Sequence, residues 1–447
     1  MEVCMILVGN GTLVTRDSNN SFYEDGAVAI EGTKIKEVGS TADLKAKYSD
    51  ADFVDAKNGI IMPAFINMHE HIYSAFARAL SINGYSPKGL LDILNGQWWK
   101  IDRNLDNKQN YWSAKVSYMD CIKSGITTVF DHHASFGEIP DSLFAIGQAA
   151  VESGVRTCLC YEISDRDGKE KALESVLENE KWAKHALADD SDMIAGMMGM
   201  HAQFTISDET FELARAHKPE GIGYHIHVAE GIEDLHACLK DHKKRIVNRL
   251  MDNDILGEKT LLGHCIYVNK QEMELIKETD TMVVHNPESN MGNACGCPPT
   301  MDIVQKGILC GLGTDGYPQD MIRSYLVCNV LHKHSLCDPN AAWGEVPKML
   351  FENNPKMANR YFKNKLGVIE QGAAADVIVM DYDPRTPLRA DNINGHIMFG
   401  MQSHDCRTTI CNGKVLYKDF EFTEIDEAEI NAKCREESAR LHAAVNA

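Results

Sequence analysis

No stretch of this 447-residue chain approaches the roughly 18 consecutive apolar residues that a membrane-spanning helix needs. The apolar run at the start, Val3 to Val8, follows no basic segment and is too short for a secretory signal. Positive charge is scarce: Lys and Arg total 45 against 65 Asp and Glu, a formal charge of −20. Such a surface repels phosphate backbones and anionic lipid, so nucleic-acid or membrane binding would need a local basic patch. The one basic cluster, Lys243, Lys244 and Arg245, reads as a solvated helix face. Internal repeats and low-complexity segments are absent. So is the G-x-S-x-G elbow, which argues against a serine hydrolase of that type. The H-x-E…P-C-x-x-C signature of one zinc deaminase class is missing too. The fourteen cysteines are scattered, mostly within apolar runs such as those around Cys158, Cys160, Cys265 and Cys310. They read as reduced core thiols, which places the chain in a cytoplasm.

What remains has ordinary globular composition, 44% apolar and 25% charged. The two ends share a texture of short β-rich runs and turns, with Gly26, Gly32, Gly395 and Gly413 at turn positions. Segments 1–58 and 370–424 therefore predict one small β domain made from both termini. The tail, 425–447, has helical spacing and mixed charge and reads as a surface helix. Between them, over 59–369, eight short apolar runs alternate with amphipathic stretches: GIIMPAFINMHEH, TTVFDHH, VRTCLCYEI, MIAGMMGMHAQ, IGYHIHVAE, TLLGHCIYV, TMVVHNP and ILCGLGTDG. Strand–helix alternation implies a parallel sheet, and eight strands buried on both faces fit a closed barrel.

Nearly every run ends in ionisable or amide side chains, and in such a barrel the strand C-termini meet at one mouth. His69 and His71 flank Glu70 on alternating faces, so both imidazoles point inward, about 7 Å apart along the strand. His225 and His227 repeat the spacing, with Glu230 three residues on; only one of this pair need be a ligand. Asp315 lies in GLGTDG, where an aspartate inside the glycine loop would repel a dinucleotide pyrophosphate. Three imidazoles and one carboxylate suit Zn²⁺ or Fe²⁺. An open position would carry water, Glu230 is placed to shuttle its proton, and His264 could orient it. The fourth run holds no lysine that could bridge two metals and ends in His201, so one ion is expected.

The HxH pair, HVAE, GHC, HNPxSN (His285 to Asn290) and GLGTDG occur in an order that resembles the amidohydrolase superfamily. The chain is most similar to the branch with S-adenosylhomocysteine/methylthioadenosine deaminases, guanine deaminases and triazine hydrolases. FINMHEHIYSAFARAL, TTVFDHHAS and GLGTDGYPQDM carry a nearer resemblance to SsnA-type aminohydrolases, found near selenium- and purine-metabolism genes. The resemblance implies an α/β fold, a (β/α)8 TIM-like barrel with a small β-sandwich built from both termini. It implies metal ligands His69, His71, His227 and Asp315, one divalent ion per subunit with zinc ahead of iron, and a homo-oligomer. By the same resemblance Glu230 shuttles the proton, His264 orients the water, Asp315 takes up a proton and His201 touches substrate.

Further readings attach to single features. Trp98, in the long insert from about Ile72 to Asp106, sits where a lid would stack on a planar ring. His132, in the Asp131–His133 cluster, reads either as a substituent contact or as a structural hydrogen-bond partner. Cys295 and Cys297 read as a loop pair without chemistry. The expected activity is hydrolysis of a C–N bond in a small purine-like heterocycle. Ring opening of a cyclic amide is the near alternative, and a non-catalytic protein tied to selenium metabolism the distant one.

Overall fold

A computed structural model describes residues 5–447. Eight parallel strands correspond to the eight apolar runs: β1 Phe65–Glu70, β2 Ile126–His133, β3 Arg156–Tyr161, β4 in two pieces, Ile194–Gly196 and Met198–Ala202, β5 Tyr224–Val228, β6 Leu261–His264, β7 Met282–His285 and β8 Cys310–Leu312. The first four pair in chain order, as do the second piece of β4 through β8. An Ile163–Met200 bridge links the two groups, and a parallel Glu70–Asp315 bridge joins the last to the first. The strands thus form a ring, and each is buried along its whole length.

Local chemistry sets the helix ends. Asp106 and Gln109 form a capping box at helix Asn107–Lys123, and Asn269 with Glu272 does so at Lys270–Glu278. Gly154, at φ 76°, stops helix Ser142–Ser153 in the left-handed conformation that glycine adopts cheaply. The stretch read as one helix after β5 is two, Ile232–His242 and Ile246–Asp252, broken where Lys243 takes φ 56°. The basic cluster therefore lies in a link, and its Arg245 pairs with Glu272 at 2.7 Å.

Both termini build one mixed sheet of nine strands. Ile60–Pro63 pairs antiparallel with Val377–Met380 and so joins the N-terminal strands to the C-terminal ones. Its inner apolar cluster includes Val8, Val28, Ile61, Val377 and Ile410. The tail forms helix Glu427–Val445 and buries Ile430, Cys434 and Leu441, so one face is core rather than surface. It also secures the insert after β1: His442 Nε2 bonds Phe76 O at 2.6 Å, and Asn446 Nδ2 donates to Ser81 O at 2.9 Å. No helix among the described residues is long and apolar enough to cross a membrane. The thirteen described cysteines are all free.

Candidate active site

The ends of β1, β5, β6 and β8 bring five donor residues together. One atom each from His69, His227, His264 and Asp315 lies within 4.8 Å of the others. His71 Nε2 sits 3.0 Å from Asp315 Oδ1 and 3.3 Å from His227 Nε2. The sequence ligand set is gathered here, with His264 as a fifth donor. The backbone is bent to do this: His264 and Asp315 adopt φ of 69° and 56°, a region costly for non-glycine residues. Thr314 N and Asp315 N both donate to His69 O at 2.9 Å, which fixes the turn after β8 against β1. A side chain at Gly313 would meet Asn286 Oδ1 at 2.6 Å and His69 O at 2.7 Å, so only glycine fits.

The second nitrogen of each imidazole is occupied from behind. His71 Nδ1 donates to His132 O at 2.5 Å and His227 Nδ1 to His201 O at 2.9 Å. His69 Nδ1 meets His225 Nε2 at 2.9 Å. His225 therefore supports His69 from deeper in the ring, while His227 faces the cluster. This pattern fixes ring orientation and leaves Nε2 free toward a cation, as in protein metal sites.

The buried atoms fit a divalent ion. His69 Nε2 and His264 Nε2 have no hydrogen-bond partner, although both are out of water. Burial drives His69 down to about 3 and His227 well below the ordinary imidazole value, so both are neutral donors. Burial alone would lower His71 too, but the hydrogen bond and charge of Asp315 outweigh it and raise it to about 10. Burial would raise Asp315, yet the adjoining His69 imidazole, 3.6 Å away, and His71, at 3.0 Å, hold it well below the carboxylate range. The nest thus favours a positive charge beside a carboxylate, and borderline N and O donors suit zinc or iron.

Around the cluster lies a cavity of about 50 Å³, lined among others by Glu230, His201, Trp98, Tyr73, Leu94 and Gly316. Glu230 Oε2 is 3.7 Å from His264 Nε2. Burial raises the Glu230 pKa, against the opposing pull of His264. His201 Nδ1 bonds Thr205 Oγ1 at 2.9 Å, and burial lowers its pKa to about 4. Trp98 crosses Tyr73 edge to face, with centroids 5.9 Å apart, and covers Gly316. His132 is placed differently from a substituent contact. It is fully buried behind the cavity, with Nδ1 3.2 Å from Glu162 Oε1 and Nε2 3.1 Å from His225 O. Burial would raise Glu162, but the hydrogen bond from His132 and nearby imidazole charge hold it down to about 2. Glu70 faces away, accepts from Asn67 Nδ2 at 2.7 Å, and is raised to about 8 by burial and Asp131.

Two features carry more than their sequence suggests. Cys295, read as chemically idle, is buried with Sγ 3.9 Å from Glu230 Oε1. Asn290, part of HNPxSN but given no role, accepts from His264 Nδ1 at 2.8 Å. Its Nδ2 donates to His285 Nδ1 at 3.3 Å; His285 Nε2 meets His332 Nε2 at 3.2 Å, and His332 Nδ1 meets Cys297 Sγ at 3.5 Å. A polar chain thus runs from the donor cluster to the loop after β7.

Comparison with known proteins follows the same lines. The chain is 28% identical over 448 residues to the 5'-deoxyadenosine deaminase of Methanosarcina mazei, covering 99% of each chain. It is 28% identical over 444 residues to the 5-methylthioadenosine/S-adenosylhomocysteine deaminase of Pelotomaculum thermopropionicum, covering 98% of each. A zinc-bound adenosine deaminase from Xanthomonas campestris shares the fold, with a TM-score of 0.85, 19% identity, and coverage of 98% of this chain and 99% of that one. A short match to an imidazolonepropionase-like composite domain of bacteria covers residues 26–51, in the terminal sheet. The amidohydrolase family model matches residues 60–416, which span the whole ring. This chain belongs to the amidohydrolase family.

Proposed function

We propose that this chain is a mononuclear metal-dependent aminohydrolase that deaminates a purine-like heterocycle. The observation that carries the reading is Glu230, a carboxyl 3.7 Å from His264 Nε2, at the edge of a donor nest with free imidazole nitrogens. His69, His71, His227 and Asp315 would hold the ion, with zinc ahead of iron. That ion, when bound, supplies Lewis acidity that lowers the pKa of water toward neutrality.

The protein's own groups do the rest. His264 Nε2 faces Glu230 and Asp315 Oδ2, each at 3.7 Å, and would orient the attacking water. Water adds to the ring carbon that bears the amine. Glu230, ionised, takes one proton from the water and delivers it to the adjacent ring nitrogen. Asp315 takes the second and returns it to the amine, the C–N bond breaks, and ammonia leaves. His201 approaches the ring from β4, and Trp98 closes over its face. His132 acts as a positioning residue through His71 and Glu162. Leu94 and Trp98, on the insert after β1, line the same cavity and would face a ring bound there.

The division expected is a catalytic (β/α)8 barrel, 59–369, a terminal β-sandwich from 1–58 and 370–424, and a C-terminal helix, 425–447; strand Ile60–Pro63 pairs within the terminal sheet rather than the barrel. A homo-oligomer in a cytoplasm is the proposed setting, supported by free, mostly buried thiols. The deaminase relatives support an adenosine-like substrate class. The test is an assay of metal-loaded protein against aminopurine nucleosides, free aminopurines and pterins, scoring ammonia and ring-opened product by mass spectrometry. Ammonia with an intact ring is expected. Ring-opened product without ammonia would replace deamination by cyclic-amide hydrolysis.

A further inference from the structure

A second cavity, of about 330 Å³, lies between the terminal sheet and the segment after β8, and none of the proposed catalytic residues lines it. Arg16 lines it, just past strand Met5–Val14. The Arg16 guanidinium rests 3.9 Å above the Phe351 ring. Its Nε and Nη2 are buried, and neither has a hydrogen-bond partner or an ion pair among the described residues. Burial lowers its pKa to about 10, so it is still charged at neutral pH. Glu352, on the same cavity wall, offsets part of the charge, but a buried guanidinium with unbonded donors is still costly, and arginine cannot relieve the cost by losing its proton near pH 7.

The surroundings are built and polar. Arg16 is held at φ 55° by Ile369 N donating to Thr15 O at 2.8 Å and Ser21 N donating to Asp17 Oδ1 at 2.8 Å. Asn394 presents a buried Oδ1 without a partner. Lys348 adds a second cation on the rim, and Glu352, 3.5 Å from Lys356, is the one carboxylate in the lining. Trp343 exposes half of its surface at the mouth. Phe351 and Glu352 sit on a π-helical turn, Met349–Asn353, a wide turn often found at functional sites. The next residue, Asn354, bonds Leu312 of β8 and Ile66 of β1, so the floor is rigid.

We propose that this cavity binds a small organic anion, with its phosphate or carboxylate at the Arg16 guanidinium and its body against Trp343. A guanidinium whose donors are not bonded by the protein suits either oxyanion. The site would stand whether or not the deaminase reading does.

The test titrates inorganic phosphate, and separately citrate, into the metal-loaded full-length chain in chloride buffer, followed by calorimetry and melting temperature. Saturable binding and a raised Tm are expected with at least one anion, and the more effective one tells phosphate from carboxylate. Arg16→Gln should weaken that binding roughly tenfold or more, with ammonia release unchanged. Lys348→Gln and Trp343→Ala, on the exposed rim, should weaken it several-fold even if Arg16→Gln does not fold. Failure of both anions to bind wild type overturns the proposal. So does binding that survives the Arg16 or both rim substitutions, which would place the anion elsewhere, for example at the metal. A dimer in sedimentation that Arg16→Gln dissociates, with no anion binding, would assign the guanidinium to a second copy and also overturn it.

Discussion

His264 Nδ1 lies 2.8 Å from Asn290 Oδ1, both buried, and this contact decides which face of the imidazole meets the donor cluster. With Nδ1 donating, Nε2 is left facing the site, 3.7 Å from Glu230 and Asp315. The amide is held in that sense by its own Nδ2, which donates to His285. Replacing such supporting partners costs on the order of 10–100-fold in activity. Asn290→Ala should therefore lower kcat by about that factor, with metal content and KM within about twofold of wild type. Steady-state kinetics with metal analysis reads this directly. A kcat equal to wild type would show that the tautomer is set elsewhere.

Glu230→Gln keeps the shape of the cavity wall and removes the proton carrier. Kcat should fall by about 10³-fold, within the range for general acid–base groups, while one ion per chain is retained. Retained turnover at wild-type rate would move the shuttle to another group.

Trp98 covers Gly316 and crosses Tyr73, and both lie over the cavity. If the indole stacks on substrate, Trp98→Ala should raise KM about tenfold, since an aromatic pair adds ~1 kcal/mol beyond its buried area. Kcat should change far less. An unchanged KM would make Trp98 a packing residue of the insert alone.

His332 is buried, and burial lowers its pKa from 6.5 to about 4. The unfolded chain binds this proton below about pH 6.5, whereas the folded chain refuses it until about pH 4. Its contribution to stability is thus present above pH 6.5 and is lost as pH falls through 4, a loss of ~3 kcal/mol at most. His133, lowered to about 3 by burial, and His285 act in the same sense. Urea unfolding between pH 7 and 4 should show stability falling with pH, with a slope reduced by about one proton in His332→Gln. An identical slope in the variant would contradict the assignment.

The eight strands were legible because each is buried on both faces and ends at polar residues, and the observed boundaries fall within those runs except at Ile126, one residue ahead of its run. The HxH spacing and GLGTDG announced inward-facing donors because strand alternation is a local rule. Asn290 was not legible as a support for His264. That contact spans 26 residues and depends on where helix Pro287–Gly292 sets one amide. Cys295 reaches Glu230 only because the loop after β7 folds back to the rim of β5. The break at Lys243 left no glycine or proline to mark it, since a lysine there adopts the left-handed conformation. The choice between His225 and His227 required the depth of each ring, which spacing alone does not give.

The central claim is that one divalent ion, held by His69, His71, His227 and Asp315, is needed for hydrolysis. The direct measurement is elemental analysis of freshly purified protein together with ammonia release before chelation, after it, and after reconstitution with zinc or iron. The account predicts about one ion per chain, loss of turnover on removal, recovery on reconstitution, and a His227→Ala variant that neither holds the ion nor turns over. Full ammonia release from protein stripped of metal would contradict it.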